Sequence, residues 1–198
     1  AAEAARPHPS GHQGAGPPPV TKKIDIARKT AIVIAEALRP IDGVHLSVLG
    51  HTAERPGQPG LVLNHYLTPD RNHLSSLARI RAQSNNVDGY AIQMAAKRML
   101  EWYPTAQTKV IIHVSDGLPR AKKYGGEIAQ AHVRRVTDYY MRQGVRIIAI
   151  GIDSMALSSE AMAMMYGENN WALLGDAEQL PLVASNLITR TIQQESRF

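Results

Sequence analysis

Two aspartates stand where a carboxylate can do chemistry. Asp116 follows the short, mostly β-branched run Val110 to Val114 and is followed at once by Gly117, Leu118 and Pro119. Such a run reads as a strand buried on both faces, and the carboxyl end of a central strand is where open α/β sheets place ligands. Asp88 sits in the polar stretch Ser84-Asn-Asn-Val-Asp-Gly89, just ahead of a helical pattern. Each acid also has a plainer reading: Asp before Gly is ordinary turn chemistry, and Asp88 can serve as a helix N-cap. Asp153, two residues beyond another apolar run, reads first as a turn residue at the same edge and second as a residue lining the same crevice.

Other polar candidates are weaker. His113 lies inside the strand and reads as a hydrogen-bonded core histidine, while His45, His51, His65 and His73 show no regular ligand spacing. His8 and His12 are four apart among prolines and glycines and cannot share a helix face. No zinc site is expected from these spacings. Arg120, Lys122 and Lys123 follow Asp116 and form either a solvated basic loop or a surface for an acidic partner. The Met-rich stretch Met155 to Met165 reads as adaptable packing. No Walker-type phosphate loop and no defensible Ser-His-Asp or Cys-His arrangement is present in the sequence, so neither ATP hydrolysis nor covalent catalysis is expected of this chain.

Composition narrows the classes further. The chain has 198 residues, enough for one domain with a sizeable core. It has no cysteine, so a metal must be held by oxygen or imidazole, which favours magnesium, manganese or calcium over a structural zinc. The formal net charge is +5, with the basic residues dispersed and aromatics few, which gives no reason to expect nucleic acid. No apolar run approaches the ~20 residues of a membrane span, and no signal peptide is visible; a cytoplasmic protein without a membrane partner is expected.

The elements that must position these residues follow from periodicity. Residues 1–19, rich in Pro and Gly, read as a disordered tail, and residues 20–198 as one domain. Thr21 is a plausible cap for a helix carrying Ile24, Ala27, Ala31, Ile34 and Leu38, stopped by Pro40. Val44–Gly50 and Leu61–Leu67 read as two strands of a hairpin, with a turn-rich link over 55–60, and 72–82 as a weak helix. A helix with Ile92, Ala95, Met99 and Tyr103 on one side ends at Pro104. Then come the strand 109–115, a helix with Ala129, Val133, Val136 and Tyr140 on one face, and the strand 145–151. A short helix over 158–165, a last strand over 171–174 and a final helix from about Asp176 complete the order. Strands alternating with helices predict a Rossmann-like, doubly wound α/β fold: a mainly parallel sheet with helices on both faces.

Three stretches in this order carry a family resemblance: Lys23-Ile-Asp-Ile-Ala-Arg28, Asn86-Val-Asp-Gly89 and Val114-Ser-Asp-Gly-Leu-Pro119. With Gly151 after Ile147-Ile-Ala-Ile150, the chain from about residue 21 onward resembles von Willebrand factor A (VWA) domains, above all the carboxyl-terminal one of the large aerobic cobaltochelatase subunit. The resemblance implies a metal-ion-dependent adhesion site, in which loops at the carboxyl edge of the sheet give oxygens to one divalent cation, magnesium or another. Asp88 and Asp116 would be its ligands. Asn86 would orient Asp88, and Ser115, Gly117 and Arg120 would position Asp116 or touch a partner. The family's first loop, Asp-x-Ser-x-Ser after a central strand, is not found: residues 1–20 hold no aspartate and one serine, Ser10. The sheet is therefore expected to lack its first central strand among these residues. Three arrangements are open: a strand from upstream, a strand from another chain, or direct pairing of the two neighbours.

The resemblance implies an assembly module working with an AAA+ ATPase in ATP-dependent cobalt insertion during cobalamin biosynthesis, at most as a non-ATPase subunit. A partner's acidic side chain would meet the cation. Two other readings stay open: a stand-alone magnesium-dependent hydrolase using Asp116, and a metal-free structural VWA domain.

Overall fold

A computed structural model describes residues 23–55, 58–152, 157–174, 179, 183 and 186. The expected tail, the Thr21 cap, Asp153 and most of the expected final helix lie outside these residues.

The first helix, α1 (Lys23–Leu38), forms where the apolar periodicity places it. Thr30, fully buried, satisfies its hydroxyl by donating to the Ile26 carbonyl one turn back (2.8 Å). Beyond it the hairpin differs from the sequence expectation. Strand β1 is Val48–Arg55 and β2 is Gln58–Leu67, antiparallel, with Arg55 opposite Gln58. Val44 stays out of the strand because its N–H is used in a turn to the Ile41 carbonyl (3.1 Å). The strand instead runs on through His51-Thr-Ala, across Gly50, where the Tyr66 ring lies so close that a Cβ would stand 2.7 Å from it. The weak helix is a 3₁₀ turn, Leu74–Arg79, which buries Leu77 against β2 and α1.

From α2 (Asp88–Trp102) to the last described strand the expected elements are present. Strand β3 (Lys109–Ser115) pairs in parallel with β4 (Val145–Gly151), and β4 with β5 (Trp171–Leu173). Helix α3 (Gly126–Met141) makes the crossover and buries the expected face, Ala129, Val133, Val136 and Tyr140. Helix α4 (Ser159–Tyr166) is capped by Ser158, whose hydroxyl accepts from the Ala161 N–H (3.1 Å). Two cores result. One lies between the sheet and α2, α3 and α4, around Ile92, Val133 and Ile147. The other lies between the sheet and α1, around Ile34, Ile148 and Ile150. Helices on both faces of a parallel sheet confirm the α/β layering.

The sheet is divided. The described strands form a two-stranded sheet, β1-β2, and a three-stranded one, β3-β4-β5. Among the described residues no strand lies between β1 and β3, and the two do not pair with each other. Direct closure of the gap is therefore excluded for these residues.

Candidate metal centre at the divided sheet

One loop joins the two sheets at their shared end. The Ala53 N–H on β1 donates to the Asn85 carbonyl (2.8 Å), and the Ser84 N–H to the Thr52 hydroxyl (3.1 Å). On the other side Asn86 and Arg120 exchange both backbone hydrogen bonds (3.2 Å each), and the Arg120 N–H also reaches the Asn86 Oδ1 (2.7 Å). The loop that starts α2 is thus pinned to β1 and to the segment after β3. Asn86 ties these loops together through its backbone and its Oδ1.

Asp88 comes inward at the end of that loop. Val87, not Asp88, is the cap residue, and neither Asp88 oxygen has a hydrogen-bond partner although its side chain is only 1% exposed. The capping reading is therefore corrected. The next residue must be small: a Cβ on Gly89 would stand 2.6 Å from His132 Nδ1 and 2.8 Å from the Tyr124 hydroxyl, which hold the start of α2.

Two histidines face the buried carboxylate. The Nε2 of His51, from β1, is 3.7 Å from Asp88 Oδ1, and the Nε2 of His113, from β3, is 3.9 Å from the same oxygen. The two imidazoles lie 5.7 Å apart, centroid to centroid. All three donor groups fall within 4.8 Å of one another. The histidine spacings, from which no zinc site is expected, do not reveal this cluster, because convergence across two sheets leaves no spacing signature. His113 is still a hydrogen-bonded core histidine, its Nδ1 2.8 Å from the buried Tyr166 hydroxyl.

Burial sets the charges. It pushes His113 down to about 3, with His51 adding to the effect, and His51 down to about 4 against the pull of Asp116. It pushes Asp88 up to about 7, reinforced by the Asp116 charge and opposed by the neighbouring Ser115 hydroxyl. Both imidazoles are neutral at physiological pH, which is the ligand form.

The remaining expected residues take different places. Asp116 is exposed at the rim, outside the three-residue cluster, near enough for its charge to act on Asp88 and His51. Ser115 is buried and donates to the Gly117 carbonyl (2.9 Å), shaping the turn after β3. Gly117 contributes that carbonyl, with open space where a Cβ would be. Arg120 contributes its backbone to the staple and is exposed.

Comparison with known proteins agrees with this fold. A family model described as the VWA domain of the cobalamin biosynthesis protein CobT matches residues 67–191. No curated protein sequence matches the chain. Proximal thread matrix protein 1 from the mussel byssus superposes with a TM-score of 0.60 at 14% identity, over 85% of this chain and 41% of that one. The same mussel protein with a zinc-occupied adhesion motif gives 0.58 at 12% identity, over 84% of this chain and 42% of that one. The manganese-loaded TRAP protein of Plasmodium vivax gives 0.56 at 13%, over 82% and 64%. The chain thus spans less than two thirds of each of these structures. At such identities the likeness concerns the fold.

Proposed function

The chain belongs to the family of VWA domains of the cobalamin biosynthesis protein CobT, and on that premise we propose that it is a binding and assembly module of a cobaltochelatase-like complex. On this reading an AAA+ ATPase subunit supplies the energy for inserting cobalt into a corrin-ring precursor, in the cytoplasm. This chain supplies the docking surface. The observation that carries the proposal is the stapled edge: two loops locked together by Asn86 and Arg120, with an exposed carboxylate, Asp116, above a buried one, Asp88.

The residues present fit a divalent cation, because both buried oxygens of Asp88 lack any other partner. Asp88 would hold it, with Asp116 beside it at the rim. When bound, the cation supplies positive charge that an acidic side chain of the partner can meet. Asp116 keeps that approach open, and the exposed Arg120 follows it in the same segment after β3. No helix of the described residues is long and apolar enough to cross a membrane.

Substituting Asp116→Ala should weaken capture of the ATPase in a pull-down while leaving thermal stability within about 0.5 kcal/mol, as for other exposed sites. Undiminished capture would sink the proposal.

A further inference from the structure

We propose that His51, Asp88 and His113 form a three-ligand centre for a nitrogen-preferring transition cation of the zinc or cobalt type, rather than for magnesium. The inference shares Asp88 with the docking site proposed above but does not depend on the ATPase.

The geometry is that of donors turned to a common point. At 3.7 and 3.9 Å from Asp88 Oδ1, the two Nε2 atoms are too far for hydrogen bonds, yet both aim at the same oxygen. Tetrahedral sites with bonds of ~2.0–2.1 Å separate neighbouring ligand atoms by roughly 3.3–3.4 Å, so small side-chain rotations would close this set around an ion. Both Asp88 oxygens and His113 Nε2 are buried and unpaired. Buried polar groups in that state are rare and costly, and three of them converging mark the place of a further partner.

The surroundings accommodate the ligand tautomer, since the Tyr166 hydroxyl can accept as well as donate. With the proton on His113 Nδ1 donated to the Tyr166 hydroxyl at 2.8 Å, Nε2 carries its lone pair towards Asp88. The side chains of His113 and Tyr166 are both almost wholly buried, so the ring cannot turn to water for another partner.

The donor chemistry decides the cation. Two imidazoles and one carboxylate suit zinc, cobalt, nickel or iron(II), whereas magnesium demands an octahedron of oxygens. Among the described residues no all-oxygen set is assembled: Asp116 stands outside the cluster, and Ser115 directs its hydroxyl to Gly117. Three protein ligands leave a further position for water or for an incoming group.

The test uses the whole chain, stripped with a chelator and titrated with Co²⁺ as a spectroscopic probe. Uptake of one ion per chain is expected at micromolar concentration. It should bring the visible d–d bands of a low-coordinate nitrogen-bound centre, and a large excess of Mg²⁺ should not displace it. The double variant His51→Gln/His113→Gln, which preserves volume, should abolish the bands while retaining the far-UV circular dichroism of the parent. Tyr166→Phe, which acts only by positioning His113, should weaken binding by the roughly 10–100-fold typical of losing an outer hydrogen-bond partner. Absence of uptake up to millimolar Co²⁺, bands that survive in the double variant, or displacement by equimolar Mg²⁺ would each overturn the inference. Undiminished ATPase capture by Asp116→Ala would count against the docking reading alone and leave this one standing.

Discussion

Towards α1, β3 presents Val110, Ile112 and Val114, which pack with Ile34, Ile148 and Ile150 in a wholly apolar layer. Towards α2 and α4 the same strand presents Ile111, then His113, then Ser115, all buried. Alternation along one strand therefore gives one face to stability and lets the other turn polar towards its carboxyl end. The difference shows where the fold accepts a cost. On the α1 side the cluster is apolar and is held by contact. On the α2 side His113 and Asp88 leave polar atoms buried without partners, at the edge where the sheet is divided.

The largest effect should come from breaking the apolar face. Ile150 is fully buried on β4, and Ile150→Ala leaves a cavity that neighbouring strands can fill only in part. A loss of about 2–5 kcal/mol is expected by denaturant unfolding. A loss below about 1 kcal/mol would mean that this layer is loosely packed, and the contrast between the faces would fail.

The polar face should answer to pH. Asp88, raised to about 7 from an ordinary 3.8, keeps a proton in the fold that the unfolded chain releases, so its contribution is lost as pH rises between those values. His51 and His113, lowered to about 4 and about 3 from 6.5, stay neutral in the fold while the unfolded chain takes up protons, so their contribution is lost as pH falls. Between about pH 4 and 6.5 the histidines outnumber the aspartate, two to one. The metal-free protein should therefore lose about 1.4 kcal/mol of stability per unit of acidification from this cluster. Asp88→Asn removes the opposing proton and should steepen that slope to about 2.7 kcal/mol per unit. Equal slopes in the two proteins, measured by urea titration at several pH values, would show that Asp88 does not titrate as its burial requires.

Much of the apolar side was legible in the sequence, and the reason is local. The runs 110–114 and 145–150 are short, continuous and β-branched, and the face Ala129, Val133, Val136, Tyr140 repeats at helical spacing, so β3, β4 and α3 follow from periodicity alone. The family's order of loops located Asp88 and Asp116 at one edge. The histidine contribution was not legible, because His51 and His113 come from strands of different sheets. One signal was available: a histidine stood in or beside each of the two strands expected to flank the missing central one. The start of β1 was misplaced for a simpler reason. Val44 looks like a strand residue, but a turn to Ile41 takes its N–H, while polar His51 and Thr52 hide the strand that follows.

The staple between the loops gives the finest separation of the two regions. Asn86→Ala removes one side-chain acceptor, the Oδ1 that the Arg120 N–H meets at 2.7 Å, and leaves both backbone bonds of the pair. Arg120 is exposed and neither core includes this pair, so the global loss should stay near the ~0.5–1.5 kcal/mol of a single hydrogen bond. Its local effect should be larger, because the same loop carries Asp88 from β1 across to the end of β3. Faster hydrogen exchange at the Arg120 amide, with β4 amides unchanged, is the expected pattern. If the β4 amides were to lose protection to the same degree, the staple would belong to the cooperative core. The two faces of β3 would then be one unit rather than a stable layer supporting a separately adjustable site.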